Sequence, residues 1–140
     1  MANAIHMTAD FRRLCDIDAE AFDNIAELTA AMNDDGRDHI FDGFLSRIGP
    51  MDSLMVLSVG GGTAEVSKSI VNAIGRANAY GARVWGIVGP AGGYTAEHGD
   101  IVILIPAPLI GMTPHTEAFQ AVIWHCLVSH PLLQKRATKW

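Results

Sequence analysis

A chain of 140 residues, 49% apolar and 18% charged, has the length and the apolar content of one domain with one core. A formal net charge of -5, with Lys135, Arg136 and Lys139 as its basic cluster, excludes broad electrostatic attraction to nucleic acid or to an anionic membrane. Cys15 and Cys126 are too few for a disulfide framework and lack a zinc-knuckle spacing, the start has no secretory apolar core, and no run of about 18 apolar residues is present, so the expectation is a cytoplasmic protein with reduced thiols.

In chain order, residues 1–12 read as a helix that starts abruptly, and the strand after it, near 17–22, is poorly written, as though the chain opens mid-fold. Residues 24–33 and 38–48 read as two amphipathic helices, the second carrying Ile40, Phe41, Phe44, Leu45 and Ile48, with Gly36 and Gly49-Pro50 as punctuation. Strands are predicted over 54–59 (LMVLSV), 83–88 (RVWGIV) and 101–105 (IVILI), and their continuous apolarity predicts burial on both faces. Between the first two, residues 64–80 place Val66, Ile70, Ala73, Ile74 and Ala77 at helical spacing, with Gly81 as the stop. That is a βαβ unit, hence a parallel pair with a right-handed crossover in an α/β fold. A last apolar helix is predicted over 115–130, where Pro131 interrupts it.

Gly60-Gly61-Gly62-Thr63 follows the first strand directly and leads into a helix, which brings backbone N–H groups and the positive helix end to the strand's carboxyl edge. Such a place attracts an anion such as phosphate, with Ser58 and Thr63 adding hydroxyls. No Gly-Lys-Ser/Thr follows, and GGGTAE misses the dinucleotide pattern GxGxxG. The same glycines also suit a tight βα turn that needs them for geometry alone. Elsewhere, His6 and Asp10 lie four apart on one helical face, and Glu117 and His125 lie eight apart, two turns along one side of the last helix. His6 also fits a solvent-exposed residue, and His125, between Trp124 and Cys126, a hydrogen-bonded core histidine.

SVGGGTAEVSKSIVNAI resembles the second phosphate-binding loop of the sugar isomerase (SIS) family, where a Ser/Thr-rich turn closes on the phosphate of a sugar phosphate. The likeness continues through YGARVWGIVGPAGGYTAEHGDIVILIPAP to TPHTEAFQAVIWHCLVSHPLL, and DNIAELTAAMNDDG is similar to the segment before that loop in the phosphoheptose isomerase branch. The resemblance implies one partial SIS domain over residues 1–140, a three-layer αβα sandwich with a flavodoxin-like parallel sheet. The family's first strand and its Gly-Asn-Gly-Gly-Ser loop are expected before NAIHMTADF, so the chain reads as truncated or as a natural partial domain.

Carried over residue by residue, the resemblance makes His6 and His125 the histidines of a zinc and acid–base site, with Asp10 in place of a glutamate base and Glu117 in place of a glutamine. Two imidazoles and two carboxylates suit Zn²⁺, and the extra carboxylate also accepts harder ions. Asp10 is then the base, His125 a proton shuttle, and Ser58, Gly60, Gly61, Gly62 and Thr63 the phosphate loop. Asp23 falls where the family places polar residues near the sugar, although a helix N-cap explains Asp23 or Asn24 equally well. The implied activity is aldose–ketose isomerisation of sedoheptulose 7-phosphate in a homo-oligomer, a dimer or tetramer. Val59, Gly60 and Gly62 depart from the family by replacing side-chain donors with backbone alone. Two other readings follow: a binding module that holds a phosphosugar without chemistry, and an assembly partner whose open sheet edge another chain covers.

Overall fold

Residues 1–108 and 110–138 are described in the computed structural model, which leaves Lys139 of the basic cluster outside. The strands β1 (Ser53–Ser58), β2 (Arg83–Val88) and β3 (Ile101–Leu104) form a parallel sheet in the order β1-β2-β3, with Met55 opposite Trp85 and Trp85 opposite Ile101. Between β1 and β2 the chain crosses over as a helix at Lys68–Ala79. This helix stops where the glycine demands it: Gly81, at φ 76°, donates its N–H to the Asn78 carbonyl at 3.1 Å, and Ala82 donates to Ala77 at 3.0 Å. That pair of bonds is the Schellman closure, which needs a residue at ease with positive φ. Ile74 and Ala77 of the crossover pack with Ala82, Val56 of β1 and Val84 of β2 into the main core.

On the other face the last helix packs against β2, and the first packs beside it. The first, α1 (Ala2–Cys15), and the last run in the same direction, so that Asn3 meets Gln120, Asp10 meets Trp124 and Cys15 meets Val128. Between them in sequence lie α2 (Ile25–Asp34), the crossover helix α3 (Lys68–Ala79), the short α4 (Gly93–His98) and finally α5 (Met112–Val128) itself. At the far end of the seam Leu14, Cys15 and Val128 are buried together, and the N–H groups of Lys135 and Arg136 donate to the Leu14 carbonyl.

The structure corrects several expectations. Residues 38–48 form no α-helix but a 3₁₀ turn, Arg37–His39, followed by further turns closed largely by i→i+3 bonds. Gly43 weakens a helix there, and the Leu45 carbonyl is engaged by Arg76 Nε at 3.0 Å. The apolar spacing reflects burial instead: Phe41 and Phe44 close on Phe22, with ring centroids 5.5 and 5.6 Å away. No strand forms at 17–22, and α4 is a helix that the apolar pattern does not announce. The sheet is also not buried on both faces. Ile87 is sealed, yet Trp85, Ile101 and Ile103 remain exposed, because α5 reaches only the carboxyl half of its face.

Candidate functional site

The α1–α5 seam gathers the ionisable groups. A rise of 1.5 Å per residue and 3.6 residues per turn puts His6 one turn before Asp10, and parallel packing brings both beside Trp124 and His125. Asp10 Oδ2 lies 3.5 Å from His6 Nε2 and 3.4 Å from His125 Nε2, and accepts the indole N–H of Trp124 at 3.0 Å. The carboxylate side chain is 9% exposed, against 60% for His6 and 41% for His125, so the cluster opens to solvent through its imidazoles.

His125 Nδ1 lies 2.7 Å from the Ala121 carbonyl, which only accepts, so this nitrogen carries a proton. In the neutral ring Nε2 then presents a lone pair toward a carboxylate oxygen, an arrangement that is favourable only with a cation or a proton between them. The three donor atoms lie within 4.8 Å of one another. Metal–ligand bonds of about 2.0–2.1 Å in a tetrahedron give ligand–ligand edges of roughly 3.3–3.5 Å, and the two spacings to Asp10 match that edge. The donor set of the residues present therefore fits Zn²⁺. Trp124, which the sequence offers only as a core or interface residue, joins this cluster through its indole N–H; the signal for it is an amphipathic indole beside a predicted ligand.

Glu117 does not join this group. It lies two turns earlier on α5 with its side chain exposed, and its backbone carbonyl accepts the Asn3 side-chain amide at 3.0 Å. Together with Ser58, Asn3 and Gln120 it lines a small cavity of about 120 Å³ at the carboxyl end of β1.

The glycine loop also sits at that strand end, but its form differs from expectation. α3 begins at Lys68 rather than near 64, and its N-cap, Ser67, adopts φ 58° and ψ 43° without a side-chain cap bond. The loop is therefore longer. Thr63 Oγ accepts the N–H groups of Glu65 and Val66 at 3.3 and 3.0 Å, and Gly61 donates to Ser58 Oγ at 3.1 Å. Geometry explains two of the glycines. A Cβ on Gly61 would fall 1.8 Å from the Gly92 carbonyl oxygen, and one on Gly62 would press on Ile70 at 3.2 Å; Gly60 has open space around it. Ser67 is a second residue the sequence reading passed over. A left-handed serine with an uncommitted hydroxyl directly before a helix is a strained conformation of the kind that collects at ligand sites.

Asp23 is exposed and lines a separate cleft of about 730 Å³ between α1, α2 and the turns at 40–47. Asn24, not Asp23, caps α2, accepting from Ala26 N–H at 3.0 Å while Glu27 Oε1 accepts from its amide at 3.0 Å.

No family model matches the chain. It is similar to the phosphoheptose isomerase of Rhodospirillum rubrum, 38% identical over 105 residues that make up 74% of this chain and 52% of that protein. The phosphoheptose isomerase of an Enterobacter species is 30% identical over 122 residues, 86% of this chain and 59% of the relative. Among solved structures, the phosphoheptose isomerases of Francisella tularensis and Neisseria gonorrhoeae align with TM-scores of 0.74 and 0.75 at 23% identity, over 91% of this chain and 67% of each of theirs. The chain thus spans about half the length of the curated relatives it matches. In sequence, over about half the relatives' length, and in its α/β fold with a parallel sheet, the chain is similar to phosphoheptose isomerases.

Proposed function

We propose that the chain carries the metal-binding and phosphate-binding part of a sugar-phosphate isomerase of the phosphoheptose isomerase type, acting on sedoheptulose 7-phosphate. The observation that carries this reading is the convergence of His6 Nε2, His125 Nε2 and Asp10 Oδ2 on one point of the α1–α5 seam. His6, Asp10 and His125 would hold the ion, for which the donor set suits Zn²⁺, with Glu117 outside this group in the neighbouring cavity. When bound, the ion supplies Lewis-acid polarisation of the sugar's carbonyl oxygen. Asp10 moves the proton between adjacent carbons, with Oδ2 turned to the imidazoles and its other oxygen left for the proton. His125, its Nδ1–H bonded to the Ala121 carbonyl, offers Nε2 as a ligand, which leaves it no free nitrogen to carry protons to the sugar while the ion is bound. Ser58, Gly60, Gly61, Gly62 and Thr63, joined by Ser67, hold the phosphate, whereas Asp23 faces the separate cleft. The reading further takes the protein as a cytoplasmic homo-oligomer, a dimer or tetramer, consistent with two free thiols and exposed apolar strand residues.

The second reading is a module that binds phosphosugar without turnover. It is favoured by the loop's internal bonds, since Thr63 Oγ and the Gly61 N–H already have partners. Isomerase assays with sedoheptulose 7-phosphate separate the two. The chain alone is expected to turn over poorly, the chain joined to the N-terminal segment of a curated relative is expected to be active, and His125→Ala in that joined chain is expected to be inactive. Phosphosugar binding with no turnover in all three favours the module, and absence of both binding and turnover contradicts both readings.

A further inference from the structure

Between the glycine loop and the His6–Asp10–His125 cluster lies a buried side-chain amide with no role in either. Gln120 is 3% exposed. Its Nε2 donates to the Ser58 carbonyl at 3.3 Å and to the Ile87 carbonyl at 3.0 Å, and its Oε1 accepts from Asn3 Nδ2 at 3.0 Å. Asn3 Nδ2 also donates to the Glu117 carbonyl at 3.0 Å. Carbonyls only accept, so both amides have a single orientation that satisfies every bond. Methionine or leucine would fill the volume of Gln120, so packing alone does not call for an amide there.

The bonds tie together parts that the proposed function needs at fixed separation. Ser58 ends β1 and receives the Gly61 N–H on its hydroxyl, so its carbonyl is the anchor of the anion loop. Asn3 stands one turn before His6 on α1, and Gln120 one turn before Trp124 and His125 on α5. A shift of the loop on closing around an anion therefore passes through one buried amide to both helices that carry the metal ligands.

We infer that Gln120 is a positioning residue, held by Asn3, that couples anion binding at residues 58–67 to metal binding at His6, Asp10 and His125. The inference rests on the proposed function above. Cobalt(II) titrations of the chain, followed by its visible absorption, test it with and without saturating sulfate, chloride holding the ionic strength equal in the second case. In the unaltered chain sulfate is expected to tighten cobalt binding about tenfold, within the usual range of coupling between sites. In Gln120→Met, and independently in Asn3→Ala, the two affinities are expected to become independent. Asn3→Ala leaves both strand-end bonds of Gln120 in place, so it reports on coupling even if Gln120→Met fails to fold. A merely structural role would lower thermal stability and leave the coupling factor unchanged, and that result overturns the inference. Binding of both ions without coupling in the unaltered chain overturns it as well, while leaving the proposed function intact. Failure of the unaltered chain to bind either ion overturns the proposed function, and the inference falls with it.

Discussion

Trp124 donates its indole N–H to Asp10 Oδ2, the same oxygen that faces both imidazoles, so it fixes the carboxylate rather than touching an ion. Trp124→Phe keeps the ring and removes the donor; metal affinity is expected to fall about tenfold with little change in fold, as for other residues that orient a ligand, and competition with a chromophoric chelator measures it. Asp100 works on the scaffold instead. It accepts the Val84 N–H at 2.8 Å and Arg83 Nη1 at 2.7 Å, and these bonds hold its carboxyl below the usual carboxylate range, the backbone bond contributing most. A depressed folded-state value means that the stabilisation is present above the unfolded value of about 3.9 and is lost as pH falls through the folded one. Asp100→Asn should accordingly melt at a lower temperature at pH 7 and show a shallower loss of stability below about pH 4 than the unaltered chain, read from melting curves across that range. The two thiols should separate in a labelling time course. Burial pushes the Cys15 thiol up, with Lys135 opposing and Asp10 adding to the shift, whereas Cys126 is exposed. One equivalent of a maleimide is expected to modify Cys126, with Cys15 reacting only on unfolding; equal rates would contradict the packing of the seam.

At the scale of elements, the glycine loop separates geometry from ligand binding. Gly60→Ala meets open space and is expected to change stability by no more than about 0.5 kcal/mol, whereas Gly61→Ala drives a Cβ into the Gly92 carbonyl and should cost about 2 kcal/mol or more, measured by urea unfolding. A Gly61 substitution therefore damages the fold first, and Gly60 is the position at which phosphate affinity can be probed. The strands β1, β2 and β3 and the helices α1, α2 and α5 were legible because their signals are local, β-branched runs closed by turn residues and helical spacing with Asn24 opening α2, and Gly81 marked the end of α3 in the same way. The 38–48 segment was not, because a pattern of inward-facing phenylalanines, half-buried in the structure, says which residues face inward but not which turn presents them. The start of α3 was misplaced because Val66 fits the apolar period while Thr63 binds back onto Glu65 and Val66 ahead of the helix. Spacing pairs His6 with Asp10 on one helix, but its pairing of His125 with Glu117 does not hold, and the meeting of His125 with the other two depends on the first and last helices packing in parallel, which no local pattern encodes.

For the whole molecule, a parallel sheet ordinarily has both faces covered, and here Trp85, Ile101 and Ile103 stand open beside an α5 that also exposes Phe119 and Val122. Self-association into a dimer or tetramer is expected at micromolar concentration, and light scattering that shows a monomer would count against it. Where α1 meets α5 the chain is proposed to hold one divalent ion. Elemental analysis after equilibrium dialysis against Zn²⁺ tests this: about one zinc per folded chain is expected, lost in Asp10→Ala and in His125→Ala, whereas a folded chain without zinc, or zinc retained in both variants, would rule it out.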